Sequence, residues 1–160
     1  MNRKNAKQQA GTSTPTLQNR RARHDYEIIE EFEAGLVLVG TEVKSIRAGK
    51  AGIADAHCRI DNGEVWVVNM HIQPYEQGNR YNVDPMRKRK LLLKRAQIDR
   101  LRSQVETKGL TIIPLKCYFH RGYARLLIAL ARGKREWDRR ETITKRDQEM
   151  QAARDLAERG

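Results

Sequence analysis

The chain has 160 residues, room for one well-cored domain but not for two. Lys and Arg number 32 against 20 Asp and Glu, a net charge of +12 that favours a polyanionic partner, nucleic acid or an anionic membrane, over a small neutral ligand. Its longest apolar run, Leu126 to Ala131, has six residues where a bilayer span needs about 20, and its two cysteines lie 59 positions apart, so neither a membrane protein nor a disulfide or zinc scaffold is expected.

Residues 1–18 hold one strongly apolar side chain after the initiator, Leu17, and are expected to be a disordered basic arm. An organelle transit segment is the alternative, disfavoured because no apolar stripe at helical spacing is present. The domain is expected over residues 19–133. Tyr26 to Phe32 and Leu36 to Val39 read as two strands broken at Ala34-Gly35, and Thr41-Glu42-Val43-Lys44 reads as the start of a short helix ended by Gly49. Ala54 to Ile60 alternates apolar with polar. Asp61-Asn62-Gly63 then turns the chain into Val65-Trp66-Val67-Val68, which predicts a hairpin. Ala96, Ile98, Leu101 and Val105 form the buried stripe of a second helix, closed by Gly109. Leu110 to Phe119 and Tyr123 to Ala131 make a second hairpin, with Pro114 at an edge or bulge because it lacks an amide donor. The expected fold is mainly β with short helices, a six-stranded antiparallel barrel of the oligonucleotide-binding (OB) class with disordered termini. Residues 134–160 carry a thin apolar stripe (Ile143, Met150, Ala153, Ala157) and are expected to be disordered when free and helical on a partner.

From Met86 to Arg102 there are eight cations and one acid, Asp99, the densest candidate for phosphate neutralisation, with a solvated helix face as the plain alternative. Arg20, Arg21 and Arg23 form a second basic cluster where the arm meets the domain. Only 9 positions are Phe, Trp or Tyr, so recognition of folded RNA by shape and phosphate position is favoured over stacking along unpaired bases; Tyr75 and Tyr81, in a polar loop, are the candidates for base contact. Asp25, Glu27, Glu30, Glu31 and Glu33 read as a solvent-facing acidic strip, with Glu33 singled out as an acceptor for base or 2′-hydroxyl donors at a turn. The four histidines lack metal-ligand spacing, and no phosphate-binding loop or nucleophile elbow is found. Neither a metal nor a cofactor nor catalysis is expected.

Four stretches together carry a family resemblance: NRRARHDYEI (19–28), FEAGLVLVGTEVKSIRAGKA (32–51), NMHIQPYEQGNRYNVDPMRKRKLLL (69–93) and GKREWDRRETITKRD (133–147). In this order they resemble the SsrA-binding proteins (small protein B) of bacterial trans-translation. The resemblance implies a cytoplasmic, non-enzymatic adaptor that grips the tRNA-like domain of transfer-messenger RNA (tmRNA) and accompanies it to stalled ribosomes. It implies RNA contacts at Asn19, Glu33, Glu42, Val43, Lys44 and Leu91; Arg20, Arg23, Arg47, Arg89 and Lys90 join them on charge. It also implies a tail that becomes helical in the vacant mRNA channel near the decoding centre of the small subunit, using Gly133, Lys134, Trp137, Asp138, Arg139, Arg140, Ile143 and Arg146, and an association with elongation factor Tu through the aminoacylated tmRNA complex. Arg replaces the family's usual Lys at 135 and 139. Trp137 stands at a position otherwise aromatic or His, where it is expected to stack on a ribosomal base. A general single-strand-binding barrel is the competing reading, and a nucleic-acid hydrolase comes third.

Overall fold

In the computed structural model, residues 17–77, 82–134 and 151 are described. Residues 1–16 of the arm, Tyr81, and the tail residues Trp137, Asp138, Arg139, Arg140, Ile143 and Arg146 lie outside them. Leu17–Gln18 forms a short strand, β1, rather than the end of a disordered arm, with Leu17 opposite Cys117 in the interior. One helical turn, α1 (Ala22–Asp25), leads into the eleven-residue β2 (Tyr26–Leu36). The expected break at Ala34-Gly35 is absent. These residues pair with Leu126 and Arg125, and Gly35 also pairs with Leu92. A Cβ on Gly35 would stand 3.2 Å from the Leu92 Cβ, so this glycine permits a close strand approach instead of a turn.

Helix α2 (Gly40–Arg47) is capped two residues earlier than the sequence suggests. Val39 occupies the N-cap, and its N–H donates to the Glu42 carboxylate at 3.0 Å, so Glu42 satisfies a donor at the open helix end. Two small strands follow out of sequence register, β3 (Ala51–Gly52) and β6 (His71–Ile72), paired with one another. Between them lies the expected hairpin of β4 (His57–Asp61) and β5 (Glu64–Val68), turned by Asn62 and Gly63 at φ 52 and 74. The barrel strand that the sequence reading missed is β7 (Arg89–Leu92), which joins β5 on one edge and β2 on the other. Helix α3 (Arg95–Lys108) buries Ile98 and Leu101 and ends at Gly109. The chain closes with β8 (Thr111–His120), whose register slips between Pro114 and Lys116, and β9 (Tyr123–Gly133).

The main sheet runs β1-β8-β4-β5-β7-β2-β9, and β8 also pairs with β9, so β8, β4, β5, β7, β2 and β9 close into a six-stranded ring with every pairing antiparallel. Closure removes the edge that an open sheet would expose. Leu126, Ile128 and Leu130 point into this barrel and have no exposed surface. Their neighbours Ala129 and Ala131 face the other way, into a second cluster with Ala22, Ile113 and Leu115. The apolar run of β9 is therefore continuous because both of its faces are covered. Cys58 and Cys117 are free thiols in the interior, and burial pushes the Cys117 thiol up to about 12, so it stays protonated and unreactive.

Candidate nucleic-acid interface

The alternation of β7 decides which members of the basic block reach solvent. Arg89 and Leu91 point inward with no exposed surface, while Lys90 and Leu92 point outward, Leu92 with 55% of its surface accessible. Arg89 donates from Nε to Glu42 Oε2 at 2.6 Å and from its terminal nitrogens to the carbonyls of Met70 and Pro85. Arg87 donates to the other Glu42 oxygen at 2.5 Å. Burial by itself would raise the Glu42 pKa, but donors from Arg87, the Val39 amide and Arg89 hold the carboxyl below its ordinary value. Three of the expected RNA contacts, Arg89, Leu91 and Glu42, lie in the interior, where the Arg89–Glu42 pair ties α2 to β7. A charged residue at an inward strand position reads as exposed from sequence because its partner stands 47 positions away.

Ion pairing also redistributes the charge. Of the eight cations between Met86 and Arg102, seven face a carboxylate: Arg87 and Arg89 on Glu42, Lys88 on Asp61, Lys90 on Glu64, Arg95 and Arg102 on Asp99, and Arg100 on Glu30. The acidic strip of β2 is engaged in the same way, through Glu27 with Arg132, Glu30 with Arg100 and Glu31 with Arg23. Lys94 is the eighth and has no carboxylate partner among the described residues; further cations without one lie elsewhere. Lys44 and Arg47 project from α2, Arg47 at 4.6 Å from the Phe119 ring centre and Lys44 at 5.4 Å from that of Tyr75. Lys50 follows at the helix end. Arg20 lines a shallow groove with Ala51 and Gly52, and a second groove of about 360 Å³ with Asn19, Arg23, Glu31 and Lys116. These side chains form one basic band across α2, β1 and β8.

Asn19 sits in that band on two bonds to the β8 bulge, its N–H to Leu115 O at 2.8 Å and its amide nitrogen to Pro114 O at 3.2 Å. Glu33 lies mid-strand on β2, not at a turn. Its Oε2 accepts from the Tyr118 hydroxyl, leaving Oε1 without a partner among the described residues. Burial, then the Glu33 carboxylate, push the Tyr118 phenol up, so it remains a donor. Val43 is half-buried against the core. Leu92, Lys116 and Tyr118 belong beside Glu33 and Asn19; counting by two along β7 and β8 is the signal that finds them. The tail begins under restraint: Gly133 pairs with Tyr26, the Lys134 amide donates to Asp25 O at 2.9 Å, and its Nζ donates to Arg23 O at 3.1 Å. Among the described residues no cluster of metal-ligating side chains forms, and no helix is long and apolar enough to cross a membrane.

A family profile described as SmpB protein matches residues 16–158. The SsrA-binding protein of Desulforudis audaxviator is 56% identical over 137 residues, 86% of this chain and 90% of that protein. The SsrA-binding protein of Halalkalibacterium halodurans is 55% identical over 142 residues, 89% of this chain and 92% of that protein. A solved chain described as "tmRNA-SmpB: a journey to the center of the bacterial ribosome" superposes with a TM-score of 0.64 at 54% identity, covering 81% of this chain and 94% of that one.

Proposed function

Because this chain belongs to the SmpB protein family, we propose that it is an RNA-binding adaptor of trans-translation, a cytoplasmic protein without catalytic activity of its own. The barrel holds the tRNA-like domain of tmRNA and delivers it to stalled ribosomes. The tail occupies the vacant mRNA channel beside the decoding centre, so that the nascent peptide is tagged and the ribosome is released. Elongation factor Tu joins through the aminoacylated RNA. The observation that carries this reading is the basic band: Lys44, Arg47, Lys50, Arg20 and Lys116 form no ion pair with a carboxylate among the described residues and lie beside the hydrogen-bonding groups of Asn19 and Glu33. Fixed cations with a few polar groups suit an RNA fold read by its backbone contour. Val43 anchors α2 to the core, while Arg23 is an exposed cation whose surface pair with Glu31 a phosphate can displace.

The tail's part rests on Gly133, Lys134, Trp137, Asp138, Arg139, Arg140, Ile143 and Arg146, which match the family pattern in order. Removing everything after Lys134 tests the division of labour. Affinity for a transcript of the tRNA-like domain is expected to stay within about twofold, while peptide tagging on ribosomes stalled without a codon is lost. A truncated protein that tags normally, or one that no longer binds the transcript, refutes the proposal.

A further inference from the structure

Trp66 stands apart from this interface. It lies on the outer face of β5, between the inward Val65 and Val67, and is partly exposed. Register places Arg59 of β4 directly on one side of it and Lys90 of β7 on the other, and the Lys88 Nζ lies 4.6 Å from the indole centre. Three cations therefore surround one aromatic face. Arg59 is exposed with no carboxylate partner among the described residues. Lys88 and Lys90 hold only loose surface pairs, at 3.9 Å to Asp61 and 3.4 Å to Glu64. Such pairs contribute about 0–1 kcal/mol and yield readily to a phosphate. In the six-membered ring, β4 stands three places and β5 two places from β2, the strand of Glu33. They are also the second and third barrel strands in chain order, the strands on which OB folds commonly receive oligonucleotides.

We propose that this face is a second RNA site, for an unpaired nucleotide: the base stacks on Trp66 while Arg59 and Lys90 contact the phosphates on either side. Neighbouring strands are about 4.8 Å apart, so Arg59 and Lys90 spring from backbones about 9.6 Å apart and bracket a single stacked nucleoside. Lys88 moves along the indole edge to admit the base. Stacking with flanking cations makes the site tolerant of base identity and sensitive to salt. This site would let the protein hold folded RNA on one side and an unpaired RNA segment on the other.

Trp66 and Trp137 are the two tryptophans of the chain, so full-length Trp137→Phe protein reports Trp66 by its own fluorescence. Octa-adenylate RNA is expected to quench that emission saturably, and a duplex of the same length to leave it unchanged. By anisotropy with labelled octa-adenylate, Trp66→Leu is expected to weaken binding about 5- to 150-fold, the effect of losing one stacked base, while Trp66→Phe retains most of it. Arg59→Glu, remote from the core, is expected to weaken the oligonucleotide in a folded protein of unchanged melting temperature. Affinity for the tRNA-like transcript should change by less than twofold in all three variants. Absence of quenching, or equal oligonucleotide binding by Trp66→Leu and Trp66→Phe, overturns the site. Parallel loss of both RNAs would merge it with the first interface and overturn its independence. Failure of the tRNA-like transcript to bind any form would count against the proposed adaptor function instead.

Discussion

Replacing Glu42 with Ala tests whether the buried ion cluster holds the α2 side of the barrel together. Glu42 retains 3% of its exposure and Arg89 none, and the two Glu42 oxygens receive Arg87 at 2.5 Å and Arg89 at 2.6 Å. Removing the carboxylate leaves the Arg89 charge buried with only carbonyl partners, a change that costs about 3–5 kcal/mol in comparable pairs. In a domain of this size that corresponds to a fall in Tm of about 10–25 °C. Urea unfolding followed by far-ultraviolet circular dichroism measures it directly, and Glu42→Gln, which keeps an acceptor, is expected to lose less. The sign of the pH dependence follows from the lowered carboxyl pKa. Below the ordinary value of 4.5 the unfolded chain binds the proton first, so stabilisation by Glu42 is complete above that pH and disappears as pH falls through the folded-state value. The Gln variant lacks this acid-dependent component. A Glu42→Ala protein within 1 kcal/mol of the parent, or a Gln variant with the parent's acid profile, would refute the reasoning (the 1 kcal/mol limit is about the ceiling for exposed pairs).

Leu91 and Leu92 should separate stability from binding. Leu91→Ala is expected to cost about 2–5 kcal/mol by urea melt, as a fully buried side chain does. Leu92→Ser, at a site already 55% exposed, is expected to leave the melt nearly unchanged and weaken the tRNA-like transcript roughly fivefold through about 1 kcal/mol of lost apolar contact; a reversed order of effects would contradict the strand alternation. Charge reversal at Lys44 or Arg47 should flatten the dependence of log K on log salt by about 0.7–0.9 per lost phosphate contact. Reversal at the already paired Arg95 should flatten it less, and equal slopes would argue against the basic band.

Local chemistry made the turns and α3 legible. Asn62-Gly63 needs positive φ, and the stripe from Ile98 to Val105 has helical spacing. What escaped local reading depended on distant partners. β7 looks like a run of charges because Arg89 faces inward, and that orientation is tolerable only with Glu42 from another element beside it. Ala34-Gly35 resembles a turn, yet it is a strand thinned so that Leu92 can approach. The interface was legible as a set of cations and family motifs. Its arrangement was not, since pairing with Asp61, Glu64, Asp99 and Glu30 screens the densest block and leaves α2 and β8 as the open positive surface.

The junction at Gly133 and Lys134 has a mechanical meaning. β9 is laced to β2 along one edge and to β8 along the other, and the chain leaves it through two further bonds to the α1 backbone. Tension applied from the carboxyl side along β9 is shared by two ladders in shear, a loading under which many bonds must break together. At the opposite end, Leu17–Gln18 rests on only two residue pairs and would peel one pair at a time. Load applied through Lys134 would therefore meet more pairings than load applied through Leu17.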